Sequence, residues 1–390
     1  MTMPQVKPEI ETFARIKVVG VGGSGKNAVN HMINSRVKGV EFIAVNTDAQ
    51  DLHHSLAKKK IQIGKNVTRG LGAGMNPDLG KRAVEETKEE IQESLKGSDM
   101  VFVTGGYGGG TCSAAAEPIV NMAKEVGALT VAVVTKPFFF EGQQRMRIAE
   151  QALEGMKKAV DAIIIIPNDR LLNVITKETT AKNAFAMCDE VLKQAVEGIS
   201  DLITTPGMIN IDFADIRSIM QDAGSALMGV GVSSGENRAV EAAKMAINSP
   251  LLDISISGAK GVLFSIAGGD DLTMFEIQEA AKIITESVDP DARIIFGTIY
   301  SDSLKKGEVK ITVIATGFPE PATKRVSLFP PVTPKEKDKD KEKEKEDKGR
   351  IYNSLPNEPK ENSKKEPSIL EDNDDDWGAV PAFLRRSKLK

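Results

Sequence analysis

The sequence predicts an α/β protein. A Rossmann-like, doubly wound domain fills the N-terminal half, a long central helix follows, then a second α+β domain, and the chain ends in a disordered C-terminal tail. Three observations carry that prediction. Short β-branched runs recur at Ile16–Val19, Phe42–Val45, Met100–Val103, Leu129–Val134 and Ala162–Ile166 with helical segments between them, the rhythm of parallel βαβ units. Phe185, Cys188, Leu192, Ala195, Ile199 and Leu202 recur at spacings of three and four, which is one long helix. Residues 335–348, KEKDKDKEKEKEDK, carry seven basic and seven acidic side chains and nothing apolar to bury, so they cannot form a core.

The start of the chain, MTMPQVKPEIETF, has no apolar signal-like stretch, so residues 1–14 are expected to be flexible and secretion is not expected. Only two cysteines occur, Cys112 and Cys188, and no apolar run approaches the roughly 18 residues that span a bilayer. A reduced, cytoplasmic protein without membrane insertion is the expectation. The formal net charge of -4 gives no electrostatic case for nucleic acid.

The strand Ile16–Val19 runs into GVGGSGKN, residues 20–27. Gly20, Gly22 and Gly25 fit a dinucleotide fingerprint. Gly20 and Gly25-Lys26 fit a P-loop, except that Asn27 stands where Ser or Thr is needed. Both readings share a glycine-rich turn whose backbone N–H groups meet a phosphate at a helix start, and the ligand stays open at this point. Because nearly every strand is apolar on both faces, helices should cover both sides of the sheet. A second cluster, Gly105 to Ser113, follows the strand Met100–Thr104 and precedes the helical Ala114–Val126. Two glycine loops on neighbouring strand ends would surround one nucleotide with backbone donors, which explains why neither standard motif fits at residue 20.

The central helix is expected from Ala181 to about Ile203, with Ala184, Val191, Val196 and Ile203 widening its buried face before the stop signal Thr204-Thr205-Pro206-Gly207. Helical stretches at Ala239–Ile247 and Met274–Ser287 then alternate with strands Val262–Ala267, Arg293–Ile299 and Val309–Thr316, an α+β pattern. Hydrophobic character returns after the charged spacer only in DDDWGAVPAFLRRSKLK.

Residues 15–318 resemble the FtsZ family of bacterial cell-division GTPases, homologues of tubulin. The segments GVGGSGKNAVN, FIAVNTDAQDL, GLGAGMNPDLG, GGYGGGTCSAAA, VAVVTKPFFFEGQQR, IPND, INIDFADIRSIM and VIATG occur in the family's order at similar spacings. The resemblance implies a GTPase domain over 15–180, a central helix over 181–204, an α+β domain over 205–318 with a catalytic loop at 206–216, a linker over 319–371 and a partner-binding peptide over 372–390. It implies GTP or GDP as ligand with Mg2+, a head-to-tail homopolymer, and a division ring held at the inner membrane face. Val380–Arg386 would dock on membrane-anchor and regulatory proteins.

Carried over residue by residue, Gly23, Ser24, Gly25, Lys26 and Asn27 of the first loop and Ala73, Gly74 and Asn76 of GAGMNP would contact the nucleotide. Gly108, Gly109, Gly110, Thr111 and Cys112 would hold the phosphates. Glu141 and Arg145 would meet ribose and phosphates, and Asn168, Phe185 and Asp189 the base, where a carboxylate accepts from N1–H and N2–H₂ of guanine. Asn210, Asp212 and Asp215 in NIDFAD would enter the next subunit's pocket and polarise the attacking water. Taken without the resemblance, these two acids are dipole-compensating caps. Cys112 and Ala114 replace glycines of the family's G-T-G-T-G, and Ser24 and Lys26 replace usual glycines; such changes are costly only at positive φ. Two rival readings are a binding-only relative with weak turnover and an NAD-dependent oxidoreductase, which would have no use for the second glycine loop.

Overall fold

A computed structural model describes residues 14–172, 179–249, 256–301 and 304–318. The flexible N-terminal segment, the charged linker and the terminal peptide expected above lie outside the described residues. The chain runs β1 (Ile16–Val21), α1 (Gly22–Asn34), β2 (Val40–Asn46), α2 (Ala49–His53), β3 (Lys59–Gln62), α3 (Lys65–Thr68), α4 (Pro77–Glu86), α5 (Lys88–Leu95), β4 (Met100–Gly106), α6 (Gly110–Glu125), β5 (Leu129–Lys136), α7 (Gln143–Ala159), β6 (Ala162–Pro167) and α8 (Asn168–Leu171). It continues through α9 (Ala181–Thr204), α10 (Phe213–Met220), β7 (Gly224–Ser234), α11 (Arg238–Ile247), β8 (Gly261–Gly268), α12 (Met274–Glu286), β9 (Arg293–Tyr300) and β10 (Glu308–Thr316).

The strands form one sheet in the order β3-β2-β1-β4-β5-β6-β7-β10-β8-β9. Pairing is parallel from β3 to β7. β10 runs antiparallel to both β7 and β8, and β9 is parallel to β8. The order 3-2-1-4-5-6 is that of dinucleotide-binding sheets, and it reverses between β1 and β4; ligands bind outside the carboxyl ends of strands at that reversal. Both glycine clusters leave the sheet there.

Successive residues of the central strands alternate between two cores. Val18, Phe102, Val131 and Val133 pack in one, which also takes Leu192, Ala195, Val196 and Ile199 of α9 together with Leu263 and Ile314 of the second unit. Val19, Val103, Ala132 and Val134 pack in the other, under α6 and α7. This is the period-two pattern of a sheet covered on both faces, as the sequence predicts. A third cluster, with Phe264, Ile277, Ile284 and Val313, lies under α11 and α12.

The structure differs from the sequence reading in two strands and two helix starts. β3 reads KKIQ, an edge strand in which Ile61 alone is fully buried. β7 reads GSALMGVGVSS, too rich in glycine to look like a strand. A Cβ on Gly229 or Gly231 would run into the carbonyls of Ala246 or Ala242, so these glycines let α11 lie directly on the strand. α1 and α6 begin inside the glycine clusters, at Gly22 and Gly110, rather than after them.

Candidate functional site

α1 and α6 start side by side at the carboxyl ends of β1 and β4. Neither has a side-chain N-cap bond or an acid in its first turn, so the first-turn N–H groups and the positive helix ends are left for an anion. Between them opens a crevice of about 430 Å³. Gly23, Ser24 and Asn27 line it from the first loop, Gly109, Gly110, Thr111 and Cys112 from the second, Glu141 and Arg145 from the turn into α7, and Asn168, Phe185 and Asp189 from α8 and α9.

The other expected contacts stand behind these. A Cβ on Gly25 would come within 2.6 Å of the Thr104 carbonyl oxygen, and one on Gly110 within 2.7 Å of the Asn76 nitrogen and 2.9 Å of the Ala73 side chain. Gly25 thus seats α1 on the sheet, and the 73–76 segment backs Gly110. Gly74 has φ +54. Asn76 caps α4, accepting from the Asp78 N–H at 3.0 Å. Gly108, at φ +100, donates its N–H to Ser113 Oγ at 2.9 Å. Lys26 does not line the crevice; its Nζ is 2.6 Å from Asp51 Oδ1.

The departures from the family pattern fit without strain. Among the described residues, positive φ outside glycine is confined to Arg36, Arg69, Met75 and Asp222, so Ser24, Lys26, Cys112 and Ala114 occupy ordinary backbone. Ser24 Oγ accepts from the Gly106 N–H at 2.6 Å and so ties the two loops together. Burial pushes the Cys112 thiol up to about 12, which leaves no reactive thiolate.

Among the residues expected to meet a base, Phe185 is half exposed and meets Phe138 edge to face at 5.6 Å. Asn168 is 6 % exposed, and its buried Oδ1 has no partner within the protein, an acceptor open to a donor from a ligand or an ordered water. Burial lifts the Asp189 carboxyl to about 6 against the opposing charges of His31 and Lys26. Arg145 donates to Glu141 Oε2 at 2.9 Å, and Glu141 Oε1 accepts from the Phe138 N–H. Sequence reasoning missed Thr135, Pro137, Cys188 and Leu192, which also line the crevice. Thr135 and Pro137 stand at the carboxyl end of β5, beside the second loop, so strand order is the signal that finds them.

Asn210, Asp212 and Asp215 do not join this crevice. Asn210 Oδ1 accepts from the Gly207 N–H at 2.7 Å. Asp212 caps α10, its Oδ1 accepting from the Asp215 N–H at 2.8 Å. Arg217 of α10 donates to the Gly127 carbonyl just before β5, and Gly224 N–H, just after α10, bonds to Asp161 O just before β6. The acids therefore sit by the amino ends of the strands whose carboxyl ends hold the crevice. β5, eight residues long, separates the two poles by about 26 Å.

No group of three or more His, Cys, Asp or Glu that could hold a metal ion occurs among the described residues, nor is any helix there long and apolar enough to cross a membrane. The GTPase domain of the Tubulin/FtsZ family matches residues 15–176, and the FtsZ family C-terminal domain matches residues 224–319. A structure of an empty FtsZ dimer from M. jannaschii is 44% identical over 79% of this chain and 89% of its own, with a TM-score of 0.75. A tryptophan-to-tyrosine point mutant of the M. jannaschii FtsZ is 45% identical over 78% of this chain and 92% of its own, also at 0.75. A GTPγS-bound CetZ2 protofilament from Haloferax volcanii shares the fold, at 20% identity, a TM-score of 0.67 and coverage of 77% and 92%. With both domains matched and relatives 44–45% identical over more than three quarters of its length, this chain belongs to the tubulin/FtsZ family of guanine-nucleotide-binding GTPases, on its FtsZ branch.

Proposed function

We propose that the chain is a self-assembling cytoskeletal GTPase whose copies stack head to tail, so that α10 of one subunit closes the nucleotide crevice of the next and GTP is hydrolysed at that junction. The observation that carries this reading is the separation of the two half-sites. A donor-rich crevice lies at one pole and an exposed pair of acids at the other, and only a heterologous contact between copies brings them together.

In this reading the N–H groups of Gly109, Gly110 and Thr111 hold the phosphates, while Gly23, Ser24 and Asn27 close the other side. Asp189 accepts from N1–H and N2–H₂ of guanine, the Asn168 amide oxygen offers a further acceptor, and Phe185 packs on the ring. Glu141 and Arg145 stand at the ribose and phosphates. Asp212 and Asp215 orient and polarise the water that attacks the γ-phosphate, with Asn210 shaping the loop that presents them. Mg2+, arriving with the phosphates as its main ligands, would offset their charge.

The cellular role proposed is the division ring, on the cytoplasmic face of the membrane, with anchor and regulatory proteins taking Val380–Arg386. Deleting residues 377–390 should leave assembly in solution intact and abolish anchor-dependent recruitment to vesicles; recruitment that persists would refute the tether. The junction itself is tested by following light scattering and phosphate release against protein concentration. Turnover per subunit should be negligible until filaments form and rise together with scattering. A rate per subunit independent of concentration would place the whole active site in one chain and end the proposal.

A further inference from the structure

Lys26 stands in α1 beside Ser24 and Asn27, which line the crevice, yet its own side chain turns away. The side chain is 9% exposed and its Nζ lies 2.6 Å from Asp51 Oδ1. Asp51 is held on both sides: its Oδ2 accepts from Asn46 Nδ2 at 2.8 Å, and its N–H donates to Asp48 Oδ1 at 2.9 Å. The same strand end reaches the second loop through Thr47 Oγ1, 2.6 Å from Thr111 Oγ1. A Cβ on Gly23 would stand 3.5 Å from Asp51 Oδ2. An ammonium and a carboxylate thus lie together directly behind the loop that faces the phosphates.

We propose that Asp51 is a positioning counter-charge that holds Lys26 out of the crevice, so that the pair sets how tightly the nucleotide's phosphates are held. The inference rests on the reading that the crevice takes nucleotide phosphates. Pairing with Asp51 offsets much of the lysine's field at the phosphates, although its charge is still felt at Asp189. Freed, it would turn its positive charge toward the phosphates, while Asp51 alone would repel them. A loop that retained its nucleotide too firmly would exchange GDP slowly, and a neutralised lysine avoids that.

Charge pairing and mere structural support predict different signs. Titration of wild type, Asp51→Asn, Lys26→Gln and the double variant with a fluorescent GDP analogue should show Asp51→Asn binding roughly threefold to tenfold tighter and Lys26→Gln weaker by a similar factor. The double variant should return to within about twofold of wild type. Asp51→Asn should also steepen the salt dependence of affinity, and the changes should be larger for GTP than for GDP because GTP carries more charge. Two single variants that both weaken binding, or that both leave it unchanged, would overturn the proposal. Thermal melting checks that each variant folds. If Asp51→Asn does not, Lys26→Arg should keep wild-type affinity while Lys26→Gln loses it, and equal losses would overturn it. Wild-type protein that binds no GDP would instead refute the nucleotide reading itself.

Discussion

The two poles of the parallel sheet use the same piece of physics in opposite ways. At the carboxyl ends of β1 and β4, α1 and α6 begin without an acid in the first turn and without a side-chain cap. No cap side chain and no first-turn acid answers their N–H groups and positive dipole ends. At the amino ends of β5 and β6, α10 begins with Asp212 accepting from the Asp215 N–H and with Asp215 in its first turn, so that helix start is answered by its own acids. The acids of α10 are stable where they stand, and in the proposed filament their charge does its second task only against a neighbour's phosphates.

Removing the acids breaks the comparison most sharply. Asp212→Ala and Asp215→Ala should each lower GTP turnover by roughly a hundredfold or more, as loss of a group acting in the transition state does, while GDP affinity changes by less than about twofold. Asp212→Ala should also cost about 1 kcal/mol of stability through the lost cap. Asp212→Asn separates the two tasks, since Asn caps as well as Asp; stability should hold and turnover should fall. Phosphate release and chemical denaturation read the two effects, and wild-type turnover in Asp212→Asn would reduce this residue to a cap.

Next in size is the conversion of one pole into the other. Gly109 is the N-cap of α6, with φ −92 and ψ 171, and a Cβ there would meet nothing within 4 Å. Asp fits that backbone and would satisfy the first-turn N–H groups proposed to hold the phosphates. Gly109→Asp should therefore lose nucleotide affinity by roughly tenfold or more while stability rises by a few tenths of a kcal/mol. Calorimetric titration with GDP and a melting curve test the pair. Unchanged affinity would mean that α6 does not face the phosphates.

The same comparison explains what the sequence discloses. The doubly wound domain, both glycine clusters and the long α9 are visible as local patterns, because each follows from strand periodicity, from glycine where backbone crowds backbone, or from apolar residues three and four apart, whereas the acids at 212 and 215 stand out through the family resemblance alone. β7 stayed hidden because Gly229 and Gly231 serve α11 rather than the strand's own propensity. Lys26 looked like a phosphate ligand until Asp51, 25 positions away in sequence, was found to hold it. Thr135 and Leu192 could not be assigned to the crevice from spacing because they come from separate elements that only the folded sheet brings together. Local chemistry was legible, and pairing between distant residues was not.

A smaller effect is expected from pH. Burial raises Asp189 to about 6, and in the proposed base contact only the ionised form accepts from guanine N1–H and N2–H₂. GDP affinity should be level near neutrality and fall about tenfold per pH unit below about 6. The stability of the empty fold moves the other way. A carboxyl whose folded value is raised contributes stability that is fully present below its ordinary value near 4 and lost as pH rises through about 6. Asp201, also lifted by burial to about 6, adds to that stability change but does not line the crevice. Asp189→Asn should weaken binding at neutral pH and flatten its acid dependence, and an acid dependence that survives the substitution would assign the titration to another group.

The smallest effect is expected at Cys112, where the family pattern has glycine. Its side chain fills the space beneath Gly105, where an added Cβ would come within 2.5 Å of the sulfur. It sits in the first turn of α6 at negative φ, a backbone that glycine adopts as readily. Cys112→Gly should therefore change GTP turnover by less than about twofold. It should cost roughly 1–2 kcal/mol of stability, from the lower helix propensity of glycine and the lost burial. Burial raises both thiols to about 12, so neither cysteine should react with a thiol reagent in the folded chain, and both should react once denaturant is added. Rapid labelling of folded protein at Cys112, or a tenfold change in turnover on Cys112→Gly, would show that this position works as a reactive group or sets the loop's geometry, and the strain-free account of the departure from the family pattern would fail.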